Sequence, residues 1–220
     1  NLKLKNDPEL GKLTDLGLRN SDRLLHLVDD ILNIAKLKAG KMEVCLKQLS
    51  ACDPIMQAAE TSLSFAEQFG VNIITRPPDS DLWITTDSEK LIQVLINLLS
   101  NAAKFSPEGG NITIGANLCG DIVQIYVSDH GPGIPEAYHG MIFEKFTQID
   151  SSDTRRRGGV GLGLSISKQI VDALGGGIRF ETAPGTGTTF FVELPAAAAD
   201  TAEENATRLH DSVQQERQAS

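Results

Sequence analysis

The sequence predicts an α+β fold: a two-layer α/β sandwich with three helices on one face of a mixed sheet, preceded by a long helix. Three observations carry that prediction. Residues Asp87 to Phe105 hold apolar side chains at helical spacing. Short β-type runs, bounded by glycine and proline, interleave with that helix and two others. Such alternation closes as two layers around one core. An apolar three/four repeat also runs through residues 6–38 and needs a partner helix to cover it.

Composition sets the bounds. A chain of 220 residues with 40% hydrophobic content has room for one large domain, or a small one beside a medium one. The net charge of −9 argues against general nucleic-acid binding, which requires a basic patch. No run approaches the roughly 18 apolar residues of a membrane span, so no insertion into a bilayer is expected. No secretory leader is expected at the N-terminus either. Cys45, Cys52 and Cys119 are odd in number and lack metal-site spacing, which predicts reduced thiols and a cytoplasmic setting.

In chain order, the helix of residues 6–38 is built on Leu10, Leu13, Leu24, Leu27, Val28, Ile31, Ile34 and Leu37, and Gly40 caps its end. His26 lies with Arg23, Asp30 and Asn33 on the polar side, as an ordinary exposed histidine would. Residues 42–49 read as a strand. Asp53 caps a helix with Pro54 at its first position, and Gly70 stops it near Phe69. Strands follow at 71–75 and 82–86, around the turn of residues 77–80, with Trp83 as a packing residue. Asp87 or Ser88 caps the next helix, whose inner stripe is Leu91, Val94, Leu95, Leu98, Leu99 and Ala102. Strands at 111–117 and 122–128 form a hairpin through Cys119, Gly120 and Asp121. A helix follows Gly161, and strands at 178–181 and 188–194 complete the sheet. From Ala196 the chain is rich in Ala, Glu and Gln, which predicts a polar, disordered tail. The division is therefore 1–40, 41–195 and 196–220.

Two features point to chemistry. The outer face of the Asp87–Phe105 helix carries Gln93, Asn97, Asn101 and Lys104 in one row. Such a row faces either solvent or a polar ligand. An amide oxygen suits Mg²⁺, and a lysine suits phosphate. Three glycine-rich segments follow: DHGPGIP (129–135), GGVGLGL (158–164) and GTGT (185–188). Glycine lets backbone N–H groups approach a phosphate without interference from a Cβ. The second segment opens a helix, whose N-terminus offers further N–H groups to an anion. It is not a P-loop: Gly158 and Gly163 have the spacing, but Leu164 stands where the lysine belongs. It is not a dinucleotide fingerprint either, for want of a preceding strand.

Together these motifs resemble, in order and over residues 10–195, the kinase core of bacterial-type sensor histidine kinases. The ATP-binding part is similar to the wider superfamily that includes gyrase and the heat-shock chaperone ATPases. The resemblance implies a Bergerat-type ATP-binding sandwich, with ATP and Mg²⁺ as cofactors. It implies that Asp129 reads the adenine amino group, with Thr188 sharing its network. Gly131 and Gly133 pass close to the base, and Phe146 in the FEKF motif anchors a mobile loop of residues 147–158. Gly159, Gly161, Leu162 and Gly163 contact phosphate, Asn101 holds Mg²⁺ with Asn97 nearby, and Lys104 binds phosphate. Arg155, Arg156 and Arg157 face either phosphate, a partner or solvent.

The sequence departs from the family's pattern in three places. His130 replaces a small polar residue, and Val160 stands where threonine is common. No His-Glu or His-Asp followed by Leu-Arg-x-Pro precedes the first helix. The expectation is a second dimerisation helix whose phosphoacceptor partner helix is supplied elsewhere, forming a homodimer, with a response regulator receiver domain downstream. Related hydrolases have a glutamate as general base where Asn97 stands, and an amide cannot serve so. A non-catalytic ATP-sensing or dimerisation module is the other alternative.

Overall fold

The computed structural model describes residues 43–76, 78, 81–148 and 161–198. The expected long helix, His26, residues 77, 79 and 80 of the expected turn, Arg155 to Arg157, Gly158 to Val160 and the tail from residue 199 lie outside the described residues. The described residues form seven strands and three α-helices, a two-layer α+β sandwich. In order these are β1 (Lys47–Ser50), α1 (Cys52–Gln68), β2 (Asn72–Arg76), β3 (Trp83–Thr86), α2 (Ser88–Phe105), β4 (Asn111–Cys119), β5 (Ile122–Ser128), α3 (Gly163–Ala173), β6 (Gly177–Ala183) and β7 (Gly187–Ala197). By internal contacts the chain divides into two units. One comprises 44–139 and 170–220 and contains the whole sheet; the other comprises 1–43 and 140–169.

The sheet runs β1-β3-β7-β5-β4-β2, with β6 also on β7. Only β2 and β4 are parallel, so the sheet is mixed. β7 is the hub. One edge pairs with β5 from Thr189 to Pro195. Along the other edge, Gly187 to Glu193 pair with β6, and Ala196 and Ala197 pair with β3. The strand expected to end at Leu194 therefore continues to Ala197. The expected tail starts two residues too early, because the Ala196 N–H donates to the Asp121 carbonyl (2.8 Å) and holds the chain in the sheet.

α2 forms the centre of the core. Leu91, Val94, Leu95, Leu98, Leu99 and Ala102 are buried as the spacing predicts, and Ala103 joins them. Each buried leucine contributes about 2 kcal/mol of apolar transfer energy. Facing them are Ile112 and Ile114 of β4, Val123 and Ile125 of β5, and Val192 and Leu194 of β7, all at or below 1% exposure. α1 packs on α2 and covers β2 and β4.

Two boundaries differ from expectation for local reasons. The first strand begins at Lys47 rather than Met42. The Cys45 N–H is taken by the Asp87 carboxylate (Oδ2, 2.9 Å), which ends the ladder. α1 begins at Cys52, with Ala51 as N-cap and no side-chain cap, so Asp53 does not cap it. Pro54 is instead the third helical residue, within the first turn where an N–H has no intrahelical partner. At the other end Gly70 adopts φ +67° and its N–H donates to the Glu67 carbonyl, stopping the helix where expected.

Asp87 does cap α2. Its Oδ1 accepts the Lys90 N–H at 3.1 Å. Burial pushes the carboxyl up, but the Cys45 and Lys90 N–H groups and the Lys90 charge outweigh it and hold it below its ordinary value. Such a carboxylate contributes stability that is present above its unfolded pKa, about 3.9, and lost as pH falls through the lower folded value. Asp87→Ala is therefore expected to cost about 1–2 kcal/mol at pH 7. Urea unfolding at pH 7 and pH 3 checks this, with the mutant's deficit shrinking at the lower pH.

Candidate functional site

The larger unit brings three sequence-distant segments together. They are the C-terminal turn of α2, the loop after β5, and the turn between β6 and β7. Asn97, Asn101 and Lys104 line the half-buried face of α2 opposite its apolar stripe. Lys104 Nζ lies 5.8 Å from the centroid of the Phe65 ring on α1. Phe65 in turn packs against Phe69 at 5.0 Å between ring centroids. The lysine's position is thus set by an aromatic face, a contact that the sequence reading did not foresee.

Asp129 follows β5 directly and is only 9% exposed. Its backbone N–H donates to the Thr188 carbonyl (2.8 Å), extending the ladder by one bond. Its side-chain Oδ1 accepts two backbone N–H groups, from Gly131 at 2.8 Å and from Thr188 at 3.3 Å. Burial raises the Asp129 carboxyl above the ordinary aspartate value. The two N–H groups and the neighbouring His130 oppose that rise without cancelling it. A carboxylate with one oxygen fixed by backbone donors still offers acceptor capacity on the other.

Gly131 is placed by close approach. A Cβ there would lie 2.8 Å from the Phe105 carbonyl oxygen and 2.9 Å from Asp129 Oδ1, so only glycine lets this loop sit on the end of α2. Gly133 lies in the same loop, against the Ala183 carbonyl. The Gly185 N–H donates to the Pro132 carbonyl (2.8 Å), joining this loop to the β6–β7 turn. His130, exposed, bonds the Asn111 carbonyl through Nδ1 at 3.1 Å, which ties the loop to the start of β4. His139 Nε2 bonds the Ile134 carbonyl at 2.9 Å while its ring stands edge-on to Phe180.

Thr188 is buried, and its ties to Asp129 are main-chain ones: its N–H donates to Oδ1 and its carbonyl accepts the Asp129 N–H. Its hydroxyl lies 3.0 Å from Thr182 Oγ1, across the β6–β7 ladder. Thr182 was missed by motif reading, because it lies outside every glycine-rich segment. The available signal was strand pairing, which sets Thr182 directly opposite Thr188.

The smaller unit holds the other expected residues. Phe146 is 68% exposed and adopts φ +63°, unusual for a residue with a side chain. Its N–H donates to the Gly161 carbonyl at 2.8 Å, closing the base of the polar loop. Leu162 is buried, and the Ile166 N–H donates to its carbonyl (2.9 Å) as the helix starts. Gly163 is the first residue of α3. Gly159 lies outside the described residues. Among the described residues, no three His, Cys, Asp or Glu side chains cluster to hold a metal ion.

Comparison with known proteins follows the same lines. The profile of the family described as "Histidine kinase-, DNA gyrase B-, and HSP90-like ATPase" matches residues 86–198. Hybrid signal transduction histidine kinase D of Dictyostelium discoideum is 37% identical over 205 residues, covering 86% of this chain and 12% of that protein. Sensor histidine kinase WalK of Bacillus subtilis (strain 168) is 35% identical over 177 residues, covering 80% of this chain and 29% of that protein. The chain thus spans less than a third of either relative. The crystal structure of full-length ShkA in complex with AMPPNP superposes with a TM-score of 0.74 at 31% identity, over 88% of this chain and 40% of that one.

Proposed function

Because the chain belongs to the histidine kinase-, DNA gyrase B- and HSP90-like ATPase family, and carries the catalytic domain of sensor histidine kinases, we propose that it binds ATP with Mg²⁺ and transfers the γ-phosphoryl group to a histidine. The observation that carries the proposal is the Asp129 carboxylate: buried, fixed through Oδ1, and set beside the end of the amide-bearing helix. Its remaining acceptor capacity suits the exocyclic amine of adenine and repels the 6-oxo group of guanine. Gly131 and Gly133 let the loop behind Asp129 pack closely, which brings its backbone near the base.

On α2, Asn101 supplies an amide oxygen for the cation, with Asn97 one turn before it on the same face. Bound Mg²⁺ would neutralise charge on the triphosphate. By the family resemblance Lys104 would bind phosphate, and the glycine-rich segment with Gly159, Gly161, Leu162 and Gly163 would also contact phosphate. Phe146, at the base of the polar loop, anchors that loop. Asn97 cannot deprotonate water, which favours transfer to an acceptor over hydrolysis.

The acceptor is a histidine on a dimerisation helix, and the next recipient is the receiver domain of a response regulator. Residues 1–40 form the dimerising segment of a homodimer, and the catalytic unit starts at residue 41. The expected setting is cytoplasmic, in keeping with Cys45, Cys52 and Cys119, which are all free thiols. Among the described residues no helix is long and apolar enough to cross a membrane.

Calorimetry tests the binding site. The wild-type chain is expected to bind ATP more tightly with Mg²⁺ than without it. Asn101→Ala is expected to lose about tenfold in affinity in the presence of Mg²⁺ and to respond little to its removal. A mutant that keeps the full Mg²⁺ effect would remove Asn101 from the cation site.

A further inference from the structure

The Thr182 hydroxyl has three partners, which is its full capacity. It accepts the Ile134 N–H (2.9 Å), donates to the Gly187 carbonyl (3.0 Å), and lies 3.0 Å from Thr188 Oγ1. A hydroxyl has one proton and two acceptor lone pairs. The Thr182 proton is committed to Gly187, so the proton between the two threonines belongs to Thr188. Thr188 therefore donates toward Thr182 and keeps its own lone pairs for whatever lies on its other side. On the Asp129 side, its N–H is already committed to Oδ1.

We propose that Thr182 is a positioning residue for base selectivity: it fixes the direction of the Thr188 hydroxyl proton, so that Thr188 and Asp129 both present acceptors to the base. This rests on the reading of Asp129 as the residue that meets a nucleotide base. A 6-aminopurine brings a donor to such a pair. A 6-oxopurine brings an acceptor and is rejected, since buried acceptors facing each other go unpaired. Through Ile134, the same hydroxyl clasps the far end of the Asp129–Pro135 loop to β6.

Thr182→Val keeps the shape and β-branching but removes the hydroxyl. The Thr188 proton is then free to turn toward the ligand and donate to a 6-oxo group. The expected result is a preference for ATP over GTP reduced by about tenfold, mostly through tighter GTP binding. Thr182→Ser restores the wild-type preference. In a Thr188→Val background, Thr182→Val has little further effect on selectivity. The clasp has its own readout in the nucleotide-free chain. Hydrogen exchange at the Ile134 amide speeds up in Thr182→Val and not in Thr182→Ser, while the core amide of Ile125 stays protected in both.

Unchanged selectivity in Thr182→Val, in a background where the wild type binds ATP, overturns the inference and leaves the ATP reading standing. Unchanged Ile134 exchange overturns the clasp itself. A wild type that binds neither nucleotide, with normal exchange at Ile125, overturns the ATP reading and the selectivity role with it.

Discussion

Asp129→Asn is expected to reduce ATP affinity about a hundredfold while leaving the fold at least as stable as the wild type at pH 7. The two results come from one geometry. An asparagine oxygen can still accept the Gly131 and Thr188 N–H groups that fix the side chain. Its NH₂ group then occupies the position where the carboxylate had acceptor capacity, and two donors meet. Losing a charge-assisted bond, and leaving the amine of the base unpaired, together cost about 2–3 kcal/mol. On stability the sign is the reverse of that for Asp87. The folded Asp129 carboxyl lies above its ordinary value because burial disfavours its charge. The folded state then binds the proton more tightly than the unfolded chain does. That group's contribution is therefore most favourable at low pH and falls as pH rises from the ordinary aspartate value through the raised one. A neutral asparagine avoids that loss. For the wild type, ATP affinity should fall on acidification at a higher pH than an unperturbed aspartate would give. Calorimetric titrations from pH 7.5 to 4.5, alongside urea unfolding of both proteins, measure both effects.

Gly187→Ala is the second large effect, and it acts on the fold. Gly187 has φ +128°, a region closed to residues with a side chain, and its Cβ would fall on the Asp129 carbonyl oxygen and within 2.9 Å of the His130 Cα. Nothing flexible is there to yield, since both neighbours are backbone. A loss of about 3 kcal/mol or more is expected, with ATP binding lost in the fraction that stays folded. Gly185→Ala is the matched comparison. Gly185 also has positive φ, +74°, but a Cβ there meets nothing within 4 Å. It should cost only the conformational term, about 1–2 kcal/mol. Equal losses for the two would mean that the crowding of Gly187 against Asp129 contributes nothing.

The architecture was legible wherever one periodic signal dominated. α2 was fixed by its stripe from Leu91 to Ala102 and by the Asp87 cap, and both appear where the spacing puts them. β5 was fixed by the alternation of Val123, Ile125 and Val127. The misplaced boundaries arose where a tertiary hydrogen bond overrides local pattern. Cys45 gives its N–H to Asp87, 42 residues away, and Ala196 gives its N–H to Asp121. No window of neighbouring residues contains either partner. The hub role of β7 was hidden for the same reason, since pairing with β3, β5 and β6 at once is a property of the assembled sheet.

Site residues followed the same division. Motif spelling pointed to the glycines, because a close backbone approach restricts residue type strongly, while the roles expected of Asp129 and Thr188 came from the family resemblance. It did not point to Thr182, whose place in the network depends on register across β6 and β7. Nor did it foresee the Lys104 contact with Phe65, which needs α1 and α2 packed side by side.

Phosphoryl transfer to a supplied histidine is the decisive experiment on this chain. The chain would be incubated with γ-labelled ATP, Mg²⁺ and a separately supplied dimerisation domain carrying its histidine. Label is expected on that histidine, stable to base and labile to acid, and strongly reduced at sub-saturating ATP when Asp129→Asn replaces the wild type. Tight ATP binding with no label on any supplied acceptor, or release of free phosphate at a rate matching ATP loss, would contradict that expectation.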